Sequence, residues 1–163
     1  MHVKDVIRQT LGMSDRLVNS YLADLSDDDL RVRAVAGMNP IAWQVGHLID
    51  TERLFVEGVK PGSCPALPEG FAEAHAWGGG QAEDTSKYRT KAEYLEFWKA
   101  QRAATLAVLE SLTDEELDAP GPERFRRMAP TAGSVFNFAG THALMHSGQF
   151  VSVRRLLNKP VAI

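Results

Sequence analysis

Apolar residues recur at threes and fours through four stretches of this chain. That period predicts four long helices near 3–24, 40–57, 90–112 and 132–157, and no sheet. In the first, Val3, Val6, Ile7, Met13, Leu17, Val18, Tyr21, Leu22 and Leu25 mark the inward face, with Lys4, Asp5, Arg8, Asp15 and Arg16 between them. Gly12 weakens it by about 1 kcal/mol without ending it. Asn39-Pro40 reads as the N-cap and first helical residue of the second helix, and Gly58 as its stop. His47 shares a face there with Trp43, Gln44, Asp50, Thr51 and Leu54, while Ile41, Val45, Ile49 and Val56 occupy the opposite side. A helix apolar on both sides is buried on both, either centrally or against a partner subunit. Thr90 and Glu93 form a capping box before the third helix, where Tyr94, Leu95, Trp98, Thr105, Leu106, Leu109 and Leu112 keep the period.

The fourth stretch carries the chemistry. At about 100° per residue, Val135, Phe138, Ala139, Met145, Val153, Leu156 and Leu157 fall within roughly 60° of His142. That is an apolar, core-facing stripe, and His142, His146 and Gln149 interrupt it. His142 and His146 stand one turn apart, about 6 Å along the axis. Two imidazoles so spaced can hold one metal ion. Each can equally be a core histidine hydrogen-bonded to a neighbour, since every buried polar group needs a partner.

A repeat links the two halves. Residues 22–30 read LADLSDDDL and residues 109–117 read LESLTDEEL. Each follows a long helix and precedes one with a central histidine, which predicts two similar hairpins about a pseudo-twofold axis. His47 and His142 would then reach one depth in a four-helix bundle, a usual setting for metal sites. Three histidines from two helices leave an open coordination position, the pattern of catalytic sites. Neutral imidazoles suit Zn, Ni, Fe or Cu. Asp50 or Gln149 could hold a ring tautomer or a bound water.

Residues 59–89 read as irregular, with the glycine run Gly78-Gly79-Gly80, and a loop so long is often a lid. It carries Phe71, His75 and Trp77. His75 could approach the site, although a loop histidine is more often solvated. Cys64, the single cysteine, has no base near it in sequence and reads as a bystander. It cannot form an internal disulfide, so an oxidising compartment is not implied.

The chain has 163 residues, enough for one domain with a proper core. A net charge of −3 with scattered acids argues against a nucleic-acid partner. No signal peptide and no membrane span is expected, so the default location is cytoplasmic. A zincin would need HExxH, and this chain has HALMH. A di-iron carboxylate bundle would need Glu-x-x-His on two helices. No G-x-S-x-G marks a hydrolase nucleophile.

NPIAWQVGHLIDTERLF, LPEGFAEAHAWGGG and THALMHSGQFVSVRRLL, in that order, resemble the DinB-like (DinB/YfiT-like) superfamily. The likeness covers most of the chain and is closest to the branch related to the metal-binding domain of ergothioneine-synthesising enzymes. It implies an all-α four-helix bundle of up-down-down-up type, often a homodimer. It also implies a divalent metal held by His47, His142 and His146. Characterised relatives use the metal to activate a low-molecular-weight thiol, such as bacillithiol or mycothiol, for S-transfer or isomerisation. Some have a glutamate at one fourth-helix ligand position; both are histidine here, which disfavours the mycothiol-dependent isomerase role. The resemblance thus suggests a metal-dependent thiol S-transferase with a small-molecule substrate. Its alternative is a non-catalytic metal-binding stress-response or dimeric interaction protein.

Overall fold

The computed structural model describes residues 2–78 and 85–161; Gly79 and Gly80 of the glycine run lie outside them. Among the described residues six α-helices follow in order: α1 Val3–Leu22, α2 Ile41–Val59, α3 Phe71–Ala74, α4 Lys91–Ser111, α5 Asp114–Asp118 and α6 Ala132–Leu156. The four long ones match the four periodic stretches. The described residues contain no strand, only one bridge between Pro120 and Thr131. None of the described helices is long and apolar enough to cross a membrane.

The long helices close a ring. α1 lies along α6, α6 along α2, α2 along α4, and α4 returns to α1. α1 and α6 cross closely at Gly140, where a methyl group would sit 2.8 Å from Thr10 Cγ2 and 3.1 Å from the Thr10 carbonyl carbon. Glycine there lets the backbones of α1 and α6 approach more closely than any side chain allows.

Helix ends follow the local chemistry, with two corrections. The capping box at Thr90/Glu93 forms as expected, and Thr113/Glu116 and Thr131/Ser134 cap their helices in the same way. On α2 the N-cap is Pro40 rather than Asn39. Nor does Gly58 stop that helix, which runs on to Val59. A methyl group at Gly58 would lie 2.8 Å from the ring of Pro122, so this glycine serves close packing.

The apolar back of α2, namely Ile41, Val45, Ile49 and Val56, is fully buried inside the chain's own core. It is covered by the other helices and offers no face to a second subunit. Val3, Val6 and Met13 of α1 face solvent, while Ile7, Leu11, Val18, Tyr21 and Leu22 pack inward. On α6 the buried line runs through Ala139, Ala143, His146, Phe150 and Val153. It is centred roughly 60°, a sixth of a turn, from His142 at 100° per residue. His142 therefore sits at its edge, and Met145, Gln149 and Leu156 fall outside it, in solvent.

Not every acid is on the surface. Glu52 of α2 is buried and pairs with Arg102 of α4, Nη2 to Oε2, at 3.0 Å. Thr105 donates to its other oxygen at 2.6 Å. Arg102 also donates to the Leu11 carbonyl at 3.2 Å and to Ser14 Oγ at 3.3 Å, so one guanidinium ties α1, α2 and α4 together. Burial raises the Glu52 pKa, and Arg102 opposes the shift.

The segment between α2 and α4 is built rather than loose over its described part. The Glu57 carboxylate accepts from the backbone N–H of Gly62 at 2.6 Å and of Cys64 at 2.8 Å. Gly70 turns the chain with φ of 75°. Phe71 then buries its ring in the core and starts α3, which delivers His75 onto α2.

Candidate metal centre

His47 comes from α2 and His142 and His146 from α6, and their rings meet between the two helices. One nitrogen from each lies within 4.8 Å of the other two. The Nε2 atoms of His142 and His146 are 3.2 Å apart. Nitrogens on one tetrahedral ion with bonds of about 2.1 Å stand about 3.4 Å apart. The pair on α6 is already close to that spacing, and the His47 nitrogen stands within 4.8 Å of both.

The tautomers are set from behind. Gln44 Nε2 donates to the Asn39 carbonyl at 2.8 Å, which turns Gln44 Oε1 towards His146. His146 Nδ1 lies 2.9 Å from that oxygen. An amide oxygen only accepts, so Nδ1 carries the proton and Nε2 is left bare. His47 is arranged the same way: its Nδ1 donates to the His75 carbonyl at 3.2 Å, and its Nε2 is bare. A ring donating one nitrogen to an oxygen and offering the other is the usual state of a metal-ligating histidine. Trp43 lies flat on His47, centroids 4.7 Å apart and planes 8° apart, and fixes the ring plane.

Electrostatics favours neutral rings. Burial lowers the pKa of His142 to about 4 and of His146 to about 3, and the neighbouring imidazoles add to both shifts. Burial also lowers His47, against the pull of the His75 carbonyl and Asp50. Bare nitrogens facing one another repel unless a proton or a cation lies between them. A neutral His142 fills that gap with its own Nε2–H, hydrogen-bonded to His146 Nε2; in its Nδ1–H tautomer the three neutral rings turn bare nitrogens inward, a donor set that suits a divalent cation.

In front of the rings is a cavity of about 520 Å³. His47 and His142 line it, whereas His146 lies behind them. Leu54 and Phe55 of α2 and Phe138 of α6 form its apolar wall. Ala76 and Trp77 bound one side, and Arg124, Phe125 and Met128 of the loop before α6 bound the other. That loop is pinned at its base, where the Gly121 N–H donates to the Pro130 carbonyl and the Ala132 N–H to the Ala119 carbonyl, each at 2.9 Å.

The sequence profile of the DinB superfamily matches residues 11–150. The chain belongs to the DinB superfamily. The fold of this DinB protein also occurs in the crystal structure of a conserved protein from Enterococcus faecalis. The likeness has a TM-score of 0.71, 17% identity, and covers 98% of this chain and 99% of that one. At that identity it speaks for the fold alone. No curated protein matches the chain.

Within this DinB protein the three histidines singled out from sequence are together. The supporting residues differ from expectation. Gln149 is exposed and takes no part, and Gln44 holds His146 instead. Asp50 lines the cavity, but its carboxylate is engaged by Arg53 at 3.2 Å. His75 is buried, not solvated. Its ring donates through Nδ1 to the Phe71 carbonyl at 2.7 Å and accepts the Tyr94 hydroxyl at 2.7 Å, so its contribution to the centre is its backbone oxygen. A methyl group at Gly46 would come within 2.2 Å of the His75 ring, so only glycine lets this segment close on α2. Cys64 sits apart, with its thiol pKa raised by burial and its Sγ accepting from Gln101 at 3.3 Å, as befits an unreactive cysteine.

Proposed function

We propose that this DinB protein is a metal-dependent enzyme that joins a low-molecular-weight thiol to an apolar electrophile. The observation that carries it is the convergence of three imidazole nitrogens, with no carboxylate among them, beside a cavity large enough for a small molecule that two of the rings line. His47, His142 and His146 would hold the ion, and three protein donors leave a position free. A divalent metal supplies a lowered pKa to a thiol that reaches it, and hence a thiolate at neutral pH. The chain's own residues keep the ligand nitrogens bare, through Gln44 and the His75 carbonyl, and exclude water with Leu54, Phe55 and Phe138. Zn, Ni and Fe all suit the donor set.

Cobalt(II) tests it, because its spectrum reports its ligands. Untagged protein should bind one equivalent, and a small thiol should then raise a sulfur-to-cobalt charge-transfer band in the near ultraviolet. The band should strengthen as pH approaches the thiol's own pKa. His142→Ala should lose metal and band together. One feature favours a second reading, a metal-binding protein without catalysis: Asp50, the only carboxylate lining the cavity among the described residues, is committed to Arg53. Cobalt that binds while no physiological thiol alters its spectrum decides for that reading.

A further inference from the structure

The cavity has a direction. Phe138 stacks on His142, centroids 5.7 Å apart and planes 7° apart. Phe55 packs on Phe138 at 5.4 Å, and Phe125 stands edge-on to Phe55 at 4.7 Å. At the far end of this aromatic run the Arg124 guanidinium lies 5.3 Å from the Phe125 ring centre. Metal-type ligands therefore stand at one end of an apolar wall, and a permanent cation at the other.

The charges along this wall do not cancel within the protein. Asp50 is the other charged group of the lining, and Arg53 neutralises it. Arg124 makes no ion pair among the described residues; its contact is the face of Phe125. Stacking on a ring holds the guanidinium plane while leaving its N–H fork free. A planar fork of donors matches a carboxylate in two parallel hydrogen bonds. A cavity of about 520 Å³ accommodates an aromatic ring with a short chain.

We propose that the cavity takes an amphipathic carboxylic acid, with its aryl or alkyl body along Phe138, Phe55 and Phe125 and its carboxylate on Arg124. This rests on reading the cavity as a substrate site, and it gives the class of the electrophile: an apolar molecule whose reactive end faces the histidines and whose acid end faces away.

The test compares 4-phenylbutyrate with 4-phenylbutyramide, which share the apolar body and differ in the end group offered to Arg124: two charged acceptor oxygens against one neutral acceptor and an NH2. Calorimetry on the zinc-loaded protein should show the acid binding about tenfold more tightly than the amide. Arg124→Gln should bring the ratio close to one, and Arg124→Lys should restore part of it. Arg124 is exposed, so these variants should fold as the parent does. A ratio that survives Arg124→Gln overturns the proposal, since the carboxylate then goes elsewhere, the metal end included. So does an equal affinity of the parent for acid and amide, or no measurable binding of the acid at 10 mM. Should the protein take up no zinc, the function proposed above falls by itself. The ratio measured on the same protein without metal then still decides this inference.

Discussion

Gln44 shows how much of a site one residue can hold. Its amide takes its orientation from the Asn39 carbonyl and passes it to His146. Gln44→Ala should lower zinc affinity about 10–100-fold, measured by competition with a chromophoric chelator, because the ring loses both its tautomer and its aim. The histidine pKa values give a second expectation. In the metal-free protein the ring protons of His142 and His146 should hold constant NMR shifts from pH 8 down to 5, since these rings accept protons only near 4 and 3. The unfolded chain takes up the same protons near pH 6.5. Stability should therefore fall as pH drops from about 6.5 towards 4, with no contribution from these groups above it. Rings that titrate near 6.5 in the folded protein would contradict both. All three histidines were legible in the sequence because polar groups on apolar helical faces are conspicuous. Their partners were less so. Gln44 and Gln149 look alike on a helical wheel, and only the direction in which α6 faces α2 decides that the first is buried and the second exposed.

At the scale of the element, α4 carries more than its pattern shows. Its period is easily read, yet Arg102 and its partner Glu52 on α2 look like surface positions until the two helices are packed together. Arg102→Met should destabilise the protein by about 3–5 kcal/mol, since it leaves the Glu52 carboxylate buried without its cation. The double variant Glu52→Leu with Arg102→Met should recover much of that loss, as followed by urea unfolding. Equal loss in the single and double variants would mean that the pair contributes only through its packing volume. The predicted helix limits were close for a simple reason. Periodicity and capping residues act over one or two turns, whereas Gly58 answers to Pro122, far away in sequence.

For the whole molecule, four helices and no sheet followed from the apolar pattern, and the ring they close follows from burying four inward faces at once. The two-hairpin repeat carries through less evenly. LADLSDDDL ends in a 3₁₀ turn at Asp29–Arg31, LESLTDEEL in the helix Asp114–Asp118. α2 begins at Ile41, six residues before His47, and α6 at Ala132, ten before His142, so the histidines meet through packing and not through equal register. The cavity beside them divides by origin. The imidazoles and their supports lie on or against α2 and α6, deep in the bundle, while Ala76, Trp77, Arg124, Phe125 and Met128 come from connecting segments. Loops tolerate change that core helices do not. This division makes the protein a chassis: randomising Arg124, Phe125 and Met128 would retarget the pocket to new molecules while the nitrogen cage keeps its shape.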